Sequence, residues 1–437
     1  MATPGPANAL RLRAPTAELL ALPWEAPLET WTDDRVAFVD LTVGPSRHLV
    51  RFAEVGGELL ALKELPLRPA RREYDALREL EARELPAVRP VGLAERPGDD
   101  GAILVTRYLS RSFQFRRLFM RLHGGSWRHR ERLLDALADL LVDLHRRGVY
   151  WGDASLANTL LQRDGQVLQA HLVDAETTFA YEQLSDGQRE LDLEVAVENV
   201  AGELADLACL AGRDPSQLEE EIAAAESLGQ RYRGLWDELH WVESLAGLDR
   251  YRVEARLRRL NELGFVVDEI ELGPVDEGGG GAQLRVCVGD RRFHASRLQQ
   301  ATGLQVEEGQ ATILLNDLAA WQSTRSRGHH RRDAAAAGRR WRTLVYEPAV
   351  RRLQAELGPD IDPVQAYCDL LEVRWLLSER AGRDVGDEPA YAALRERGAP
   401  PDSAAGMAIA EAPTGVFSVR ELLDPLNDRE DRPQGRD

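Results

Sequence analysis

Leu144-His-Arg-Arg-Gly-Val-Tyr-Trp-Gly-Asp-Ala-Ser-Leu-Ala-Asn158 is the stretch that decides the fold. It leaves a leucine-striped helix predicted over Arg130 to Arg147. Leu133, Leu134, Leu137, Leu140, Leu141 and Leu144 share one face of that helix, and Gly148 suits its C-cap. The polar loop from Gly152 to Asn158 then sets Asp153 and Asn158 at the spacing D-x-x-x-x-N. A short hairpin follows, from Thr159 through a turn at Gly165 to Val173. Leu172-Val-Asp-Ala-Glu176 closes it, with Asp174 at a strand end.

These residue types suit phosphoryl transfer. Asp153 can accept the proton of an attacking hydroxyl and orient it. The Asn158 carbonyl can ligate Mg²⁺ without placing a further negative charge beside phosphates. Asp174 would be the bridging metal ligand, and Glu176 an auxiliary one. Taken singly, each signal has a plain structural reading. D-x-x-x-x-N arises by chance in a long chain, and an Asp after an apolar strand commonly caps a turn.

Upstream, the pattern is β. Arg35–Val43, His48–Val55 and Glu58–Leu65 read as an antiparallel meander, with Gly56-Gly57 as a tight turn. Arg71 to Leu85 reads as a helix and Ala102–Leu109 as a further strand, with a hinge near Arg107–Ser112. The third strand, Leu59-Leu-Ala-Leu-Lys-Glu64, carries Lys63, the sole lysine of the chain; the other 54 basic side chains are arginine. A compact ammonium is not interchangeable with a planar guanidinium, so Lys63 is a candidate to reach the phosphates of a nucleotide. Its bland alternative is a leftover surface residue. Glu73, ten residues on, is placed to hold it; Glu79 is the weaker candidate.

The ordered set Lys63, Glu73, Asp153, Asn158 and Asp174 resembles the protein-kinase-like superfamily over residues about 35–210. The phrases Tyr150-Trp-Gly-Asp-Ala-Ser-Leu-Ala-Asn-Thr-Leu161 and Leu172-Val-Asp-Ala-Glu-Thr177 are similar to lipopolysaccharide-kinase-like bacterial proteins. These carry domain of unknown function 4032 after the kinase-like part. The resemblance implies an ATP site. In it Lys63 would anchor phosphate, Glu73 would be its partner, Asp153 the base, and Asn158 and Asp174 the Mg²⁺ ligands.

Three features depart from conventional protein kinases. The turn Thr42-Val-Gly-Pro-Ser-Arg-His48 has one glycine and no GxGxxG; Arg47 supplies charge there or is simply solvated. Asp174 is followed by Ala-Glu, not Phe-Gly. Thr177–Arg189 is short and lacks an Ala-Pro-Glu phrase.

Beyond the hairpin, Leu191 to Leu210 and Ser216 to Val242 are expected helices. From Gly247 onwards the order is a helix (Arg250–Gly264), two strands (Phe265–Leu272, Gln283–Val288) and a loop between them at Asp276–Gly281. Helices follow at Ser296–Ala301, Glu308–Arg325, Arg339–Leu357 and Pro363–Arg380. Trp321, Trp341 and Trp375 are expected core or interface anchors. His329-His330 with Asp333 is a weak metal motif. The Arg-rich segment 325–342 would face an anionic partner, or is a solvated loop and helix start.

Composition limits the classes. The chain has 437 residues and a net charge of −18, with 43% hydrophobic and 29% charged residues. That fits a soluble globular chain and gives no nucleic-acid signal, because phosphates would be repelled. No apolar run approaches the roughly 18 residues of a membrane span. The N-terminus lacks a secretory pattern. Cys209, Cys287 and Cys368 are too scattered for a metal knot or disulfide framework, so the cytoplasm is the expected compartment.

The expected architecture is therefore α+β and two-lobed, with an appended α/β domain. Its parts are an irregular arm (1–30) with a short amphipathic piece near Ala17–Leu22, an N-lobe (31–109), a helical C-lobe (110–246), a C-terminal domain (247–397) and a disordered tail (398–437). The expected function is ATP- and Mg²⁺-dependent phosphotransfer to an unidentified hydroxyl, a sugar or small molecule among the options. The alternative is a nucleotide-binding scaffold that acts through its C-terminal domain.

Overall fold

The computed structural model describes residues 9–41, 47–96, 100–115, 127–210, 215–241, 243–245, 250–274, 282–325, 334–359 and 361–397. The expectations for 42–46, 275–281, 326–333 and the tail fall outside them. The chain divides into two compact units. The first runs to Gln162 and resumes over Gln169–Arg233; the second takes Arg163–Leu168 and resumes at Gly234.

The first unit opens with β1 (Leu10–Leu12), α1 (Ala17–Leu20) and a 3₁₀ turn at Leu28–Thr30. β2 (Ala37–Val39), β3 (Leu49–Val55) and β4 (Glu58–Pro66) follow, then α2 (Leu67–Ala82), β5 (Pro90–Glu95) and β6 (Gly101–Arg107). These strands form one sheet in the order β1-β5-β6-β4-β3-β2. Alternation along β4 gives the sheet two different faces. Leu60 and Leu62 are buried on one, packed with Leu22, Trp24, Leu28 and Trp31. Lys63 looks to the other, where α2 buries Ala70, Glu73, Tyr74 and Leu77.

The arm has the short helix expected near Ala17–Leu22, but the rest of it is more ordered than the irregular segment expected. β1 adds a strand to β5, and the two tryptophans, edge to face at 5.5 Å, cover the sheet face opposite α2. Their indole N–H groups donate to Leu19 O and Ala26 O, both at 3.0 Å, so burial leaves neither unpaired. Three residues of strand are too few for a period of two to show in sequence.

A helical lobe completes the unit. β7 (Ser112–Gln114) leads to α3 (Trp127–Arg146), whose expected leucine stripe is buried from Leu133 to Leu144. β8 (Val149–Tyr150), the hairpin β9 (Thr159–Asp164) and β10 (Val167–Leu172), and β11 (Phe179–Ala180) follow. β9 lies between β10 and β7, and β8 pairs with β11. α4 (Asp186–Leu210) and α5 (Pro215–His240) come next.

The second unit contains the turn of the β9–β10 hairpin, β12 (Glu243–Leu245), α6 (Arg250–Glu262), β13 (Val267–Pro274) and β14 (Ala282–Val288), with β14 central. α7 (Phe293–Thr302), α8 (Glu308–Arg325), α9 (Ala334–Trp341), α10 (Glu347–Leu357), α11 (Pro363–Ala381) and α12 (Asp387–Arg397) follow. Trp341, Tyr367, Leu314, Leu353 and Val373 form its core. Trp341 is a core anchor, but Trp375 is 56% exposed. The helix expected over Arg339–Leu357 is interrupted by a π turn at Arg342–Tyr346. Pro348 explains it: proline lacks an N–H and crowds the carbonyl four residues back, which a wider turn relieves.

Within this unit the hairpin turn is held tightly. Arg163 pairs twice with Asp369, at 2.6 and 3.2 Å. Asp164 accepts the N–H groups of Gly309 and Gln310 at the start of α8, at 2.7 and 2.8 Å. Gly165 exchanges two 3.0 Å hydrogen bonds with the Gln365 amide. A Cβ on Gly309 would lie 2.3 Å from Asp164 O, so glycine is needed there for the approach. Among the described residues, no helix is long and apolar enough to cross a membrane.

Candidate active site

The site is built in the first unit, from β4, α2, the loop after β8 and the loop after β10. Lys63 Nζ donates to both Glu73 oxygens, at 2.9 and 3.1 Å, and to Asp174 Oδ2 at 2.8 Å. The two carboxylates differ in setting. The Glu73 side chain is 2% exposed and that of Asp174 is 30% exposed. Glu73 is thus enclosed, while Asp174 is partly open to solvent. Burial raises the Glu73 carboxyl to about 8; Asp174 adds to the shift and Lys63 opposes it. Burial also disfavours the Lys63 ammonium, but Glu73 and Asp174 outweigh it and its pKa is raised. Glu79, the other helical carboxylate weighed for the anchor, instead pairs with Arg83 at 2.8 Å.

Asp153 and Asn158 face each other across their loop. Asn158 Nδ2 donates to Asp153 O and to Asp153 Oδ2, both at 3.0 Å. Because the amide nitrogen is committed to these oxygens, the amide oxygen is left on the other side of the group. Burial raises the Asp153 carboxyl above its usual range, and Asp174 adds to this; hydrogen bonds from Asn158 and Asn199 and the charge of Arg47 oppose it.

The two loops are knit together. Val173 N donates to Asn158 O at 3.1 Å, Trp151 Nε1 to Asp174 O at 3.3 Å, and Thr177 Oγ1 to Trp151 O at 2.8 Å. Gly152 holds the turn just before Asp153 with φ +81°, and a Cβ there would sit 3.0 Å from Tyr150 Cε1. Glu176 lies 3.7 Å from His48 Nε2.

Sequence reading missed the residues that hold the loop from below. Asp192 accepts from Trp151 N at 2.6 Å, Gly152 N at 2.7 Å and His145 Nε2 at 2.9 Å. A carboxylate only accepts, so Nε2 of His145 carries a proton, and Nδ1 lies 2.7 Å from Tyr232 OH. Asn199 reaches Asp153, and Glu203 accepts from Leu156 N at 2.6 Å and Ala157 N at 3.3 Å. All three lie on α4, at intervals of seven and four. At about 100° per residue this keeps them on one face. That polar stripe, facing a segment some 40 residues earlier in the chain, was the available signal.

The sheet with its inward lysine, the helix bearing a buried glutamate and the helical lobe with its Asp153–Asn158 loop define a two-lobed protein-kinase-like fold, with an α/β domain appended. Residues 51–194 match the lipopolysaccharide kinase (Kdo/WaaP) family, and residues 234–396 match a domain of unknown function, DUF4032. A solved structure described as "WaaP in complex with acyl carrier protein" is similar at 20% identity, covering 52% of this chain and 99% of that one, with a TM-score of 0.31. No curated protein matches.

Proposed function

We propose that the protein transfers the γ-phosphate of ATP, with Mg²⁺, to a hydroxyl of a sugar or other small molecule. The observation that carries this is the meeting of Lys63 with both Glu73 and Asp174, beside a paired Asp153 and Asn158.

Each residue has a distinct task. Glu73 fixes the Lys63 ammonium from inside. Lys63 exchanges Asp174 for the phosphates of the nucleotide. Asp153 aligns the acceptor hydroxyl and receives its proton. Asn158 Oδ1 and the Asp174 carboxylate would hold Mg²⁺, which supplies charge neutralisation on the phosphates when bound. The donor set fits that ion. Mg²⁺ is commonly held by one or two protein groups with phosphate and water oxygens completing its shell.

The deciding experiment is transfer of labelled γ-phosphate from Mg-ATP into fractionated small-molecule and saccharide extracts. The reading predicts a labelled hydroxyl product made by the wild-type chain and lost in Asp153→Ala. A thermal shift with Mg-ATP but no product from any fraction would favour the nucleotide-binding scaffold. Neither shift nor product would remove the nucleotide site.

A further inference from the structure

Asn199 stands on the α4 face that supports the catalytic loop, but it differs from its two neighbours there. Asp192 and Glu203 hold backbone amides. Asn199 holds the carboxylate itself: its Nδ2 donates to Asp153 Oδ1 at 3.0 Å and to Ala154 O at 3.2 Å. A primary amide nitrogen has two protons, and each here faces an oxygen. The flipped amide would set oxygen against two oxygens, so the orientation is fixed by its surroundings.

Asp153 is thereby gripped from both sides. Asn158 donates to Oδ2 and Asn199 to Oδ1. Each amide also takes a backbone carbonyl of the same loop, at residue 153 or 154. The carboxylate can then neither rotate about its own axis nor swing away from the loop without breaking a hydrogen bond.

We infer that Asn199 is a positioning residue, which sets the direction in which Asp153 meets the acceptor hydroxyl. The inference rests on the phosphotransfer reading above and deepens it. Both protons of the Asn199 amide are committed to the base and its loop, so the inferred task of Asn199 lies at Asp153 rather than at the nucleotide. Its loss is therefore felt in the transfer step and not in Mg-ATP binding. Misplacement of a reacting group by about 1 Å can cost on the order of 100-fold in rate.

The test compares the full-length wild type, Asn199→Ala and Asn199→Asp. Three quantities are read: kcat for Mg-ATP turnover, the Mg-ATP dissociation constant by calorimetry, and the unfolding midpoint. Asn199→Ala is expected to lower kcat roughly 10- to 100-fold with Mg-ATP affinity within about twofold of wild type. Asn199→Asp removes both donors and sets a like charge against Asp153, so its kcat falls further, and the unfolding midpoint separates that loss from a loss of folded protein. Unchanged kcat in both variants would overturn the inference alone. So would a kcat loss matched by an equal loss of Mg-ATP affinity. A wild-type chain that never turns over Mg-ATP removes the reading and the inference together.

Discussion

At Lys63 one ammonium meets two carboxylates of unequal exposure, and the inequality sets what substitution there does. Lys63→Met leaves Glu73 buried without its counter-charge. Glu73, already raised to about 8 by burial, can take up a proton instead. The variant is expected to fold and to lose turnover at least about 100-fold, while Lys63→Arg keeps the charge but loses the compact point contact and falls similarly. Steady-state ATP turnover beside an unfolding curve checks both. His171 gives a prediction of another kind. Its Nδ1 is buried without a hydrogen-bond partner, and burial lowers its pKa from 6.5 to about 4. Between those values the unfolded chain binds a proton that the folded chain refuses, so stability falls as pH drops from about 6.5 towards 4. The loss approaches 3 kcal/mol on the order of magnitude of a 2–3 unit shift. Urea midpoints at pH 7 and pH 5 should converge in His171→Leu. Lys63 was legible because a single lysine among arginines stands out; a histidine inside an apolar strand carries no such mark.

At the scale of elements, α4 is the scaffold of the Asp153–Asn158 loop. Asp192→Ala would leave two backbone amides and the His145 Nε2 proton without an acceptor. Each buried donor left so costs about 1–3 kcal/mol. The expected result is a lowered unfolding midpoint together with slower turnover, read by denaturant titration and by ATP turnover. Glu203→Ala, whose acceptor serves the more exposed end of the loop, is expected to lose less. The leucine helix and the Asp153–Asn158 loop were readable because periodicity and spacing are local properties. The supporting face of α4 was not, because its meaning depends on a partner some 40 residues away. The ordered parts of the arm beyond its short helix were missed for a related reason: Leu10–Leu12 is a strand only by virtue of β5, and Trp24 finds its place only against the sheet.

At the scale of the whole chain, the second unit includes residues that the sequence order assigns to the middle of the kinase-like region. The turn Arg163–Leu168 is built into it, through Asp369, Gln365 and the start of α8. Asp369→Ala would leave the Arg163 guanidinium buried and unpaired, a change that costs about 3–5 kcal/mol. The double variant Arg163→Met with Asp369→Leu should recover most of that loss, because an apolar pair replaces a buried ion pair at little cost. Calorimetric unfolding of the two full-length variants checks this. Nothing in the phrase Gln162-Arg-Asp-Gly165 marks it as other than a solvated hairpin turn. Its partners lie roughly 145 to 206 residues further on, and only the fold brings them together.

Lys63 and Asp174 are proposed to serve one nucleotide. Isothermal titration of Mg-ATP into the wild-type chain, Lys63→Met and Asp174→Ala tests it most directly. Saturable binding to the wild type with one site per chain, weakened at least about 100-fold in each variant, is the predicted result. Absence of binding to the wild type, or wild-type affinity in either variant, would contradict it.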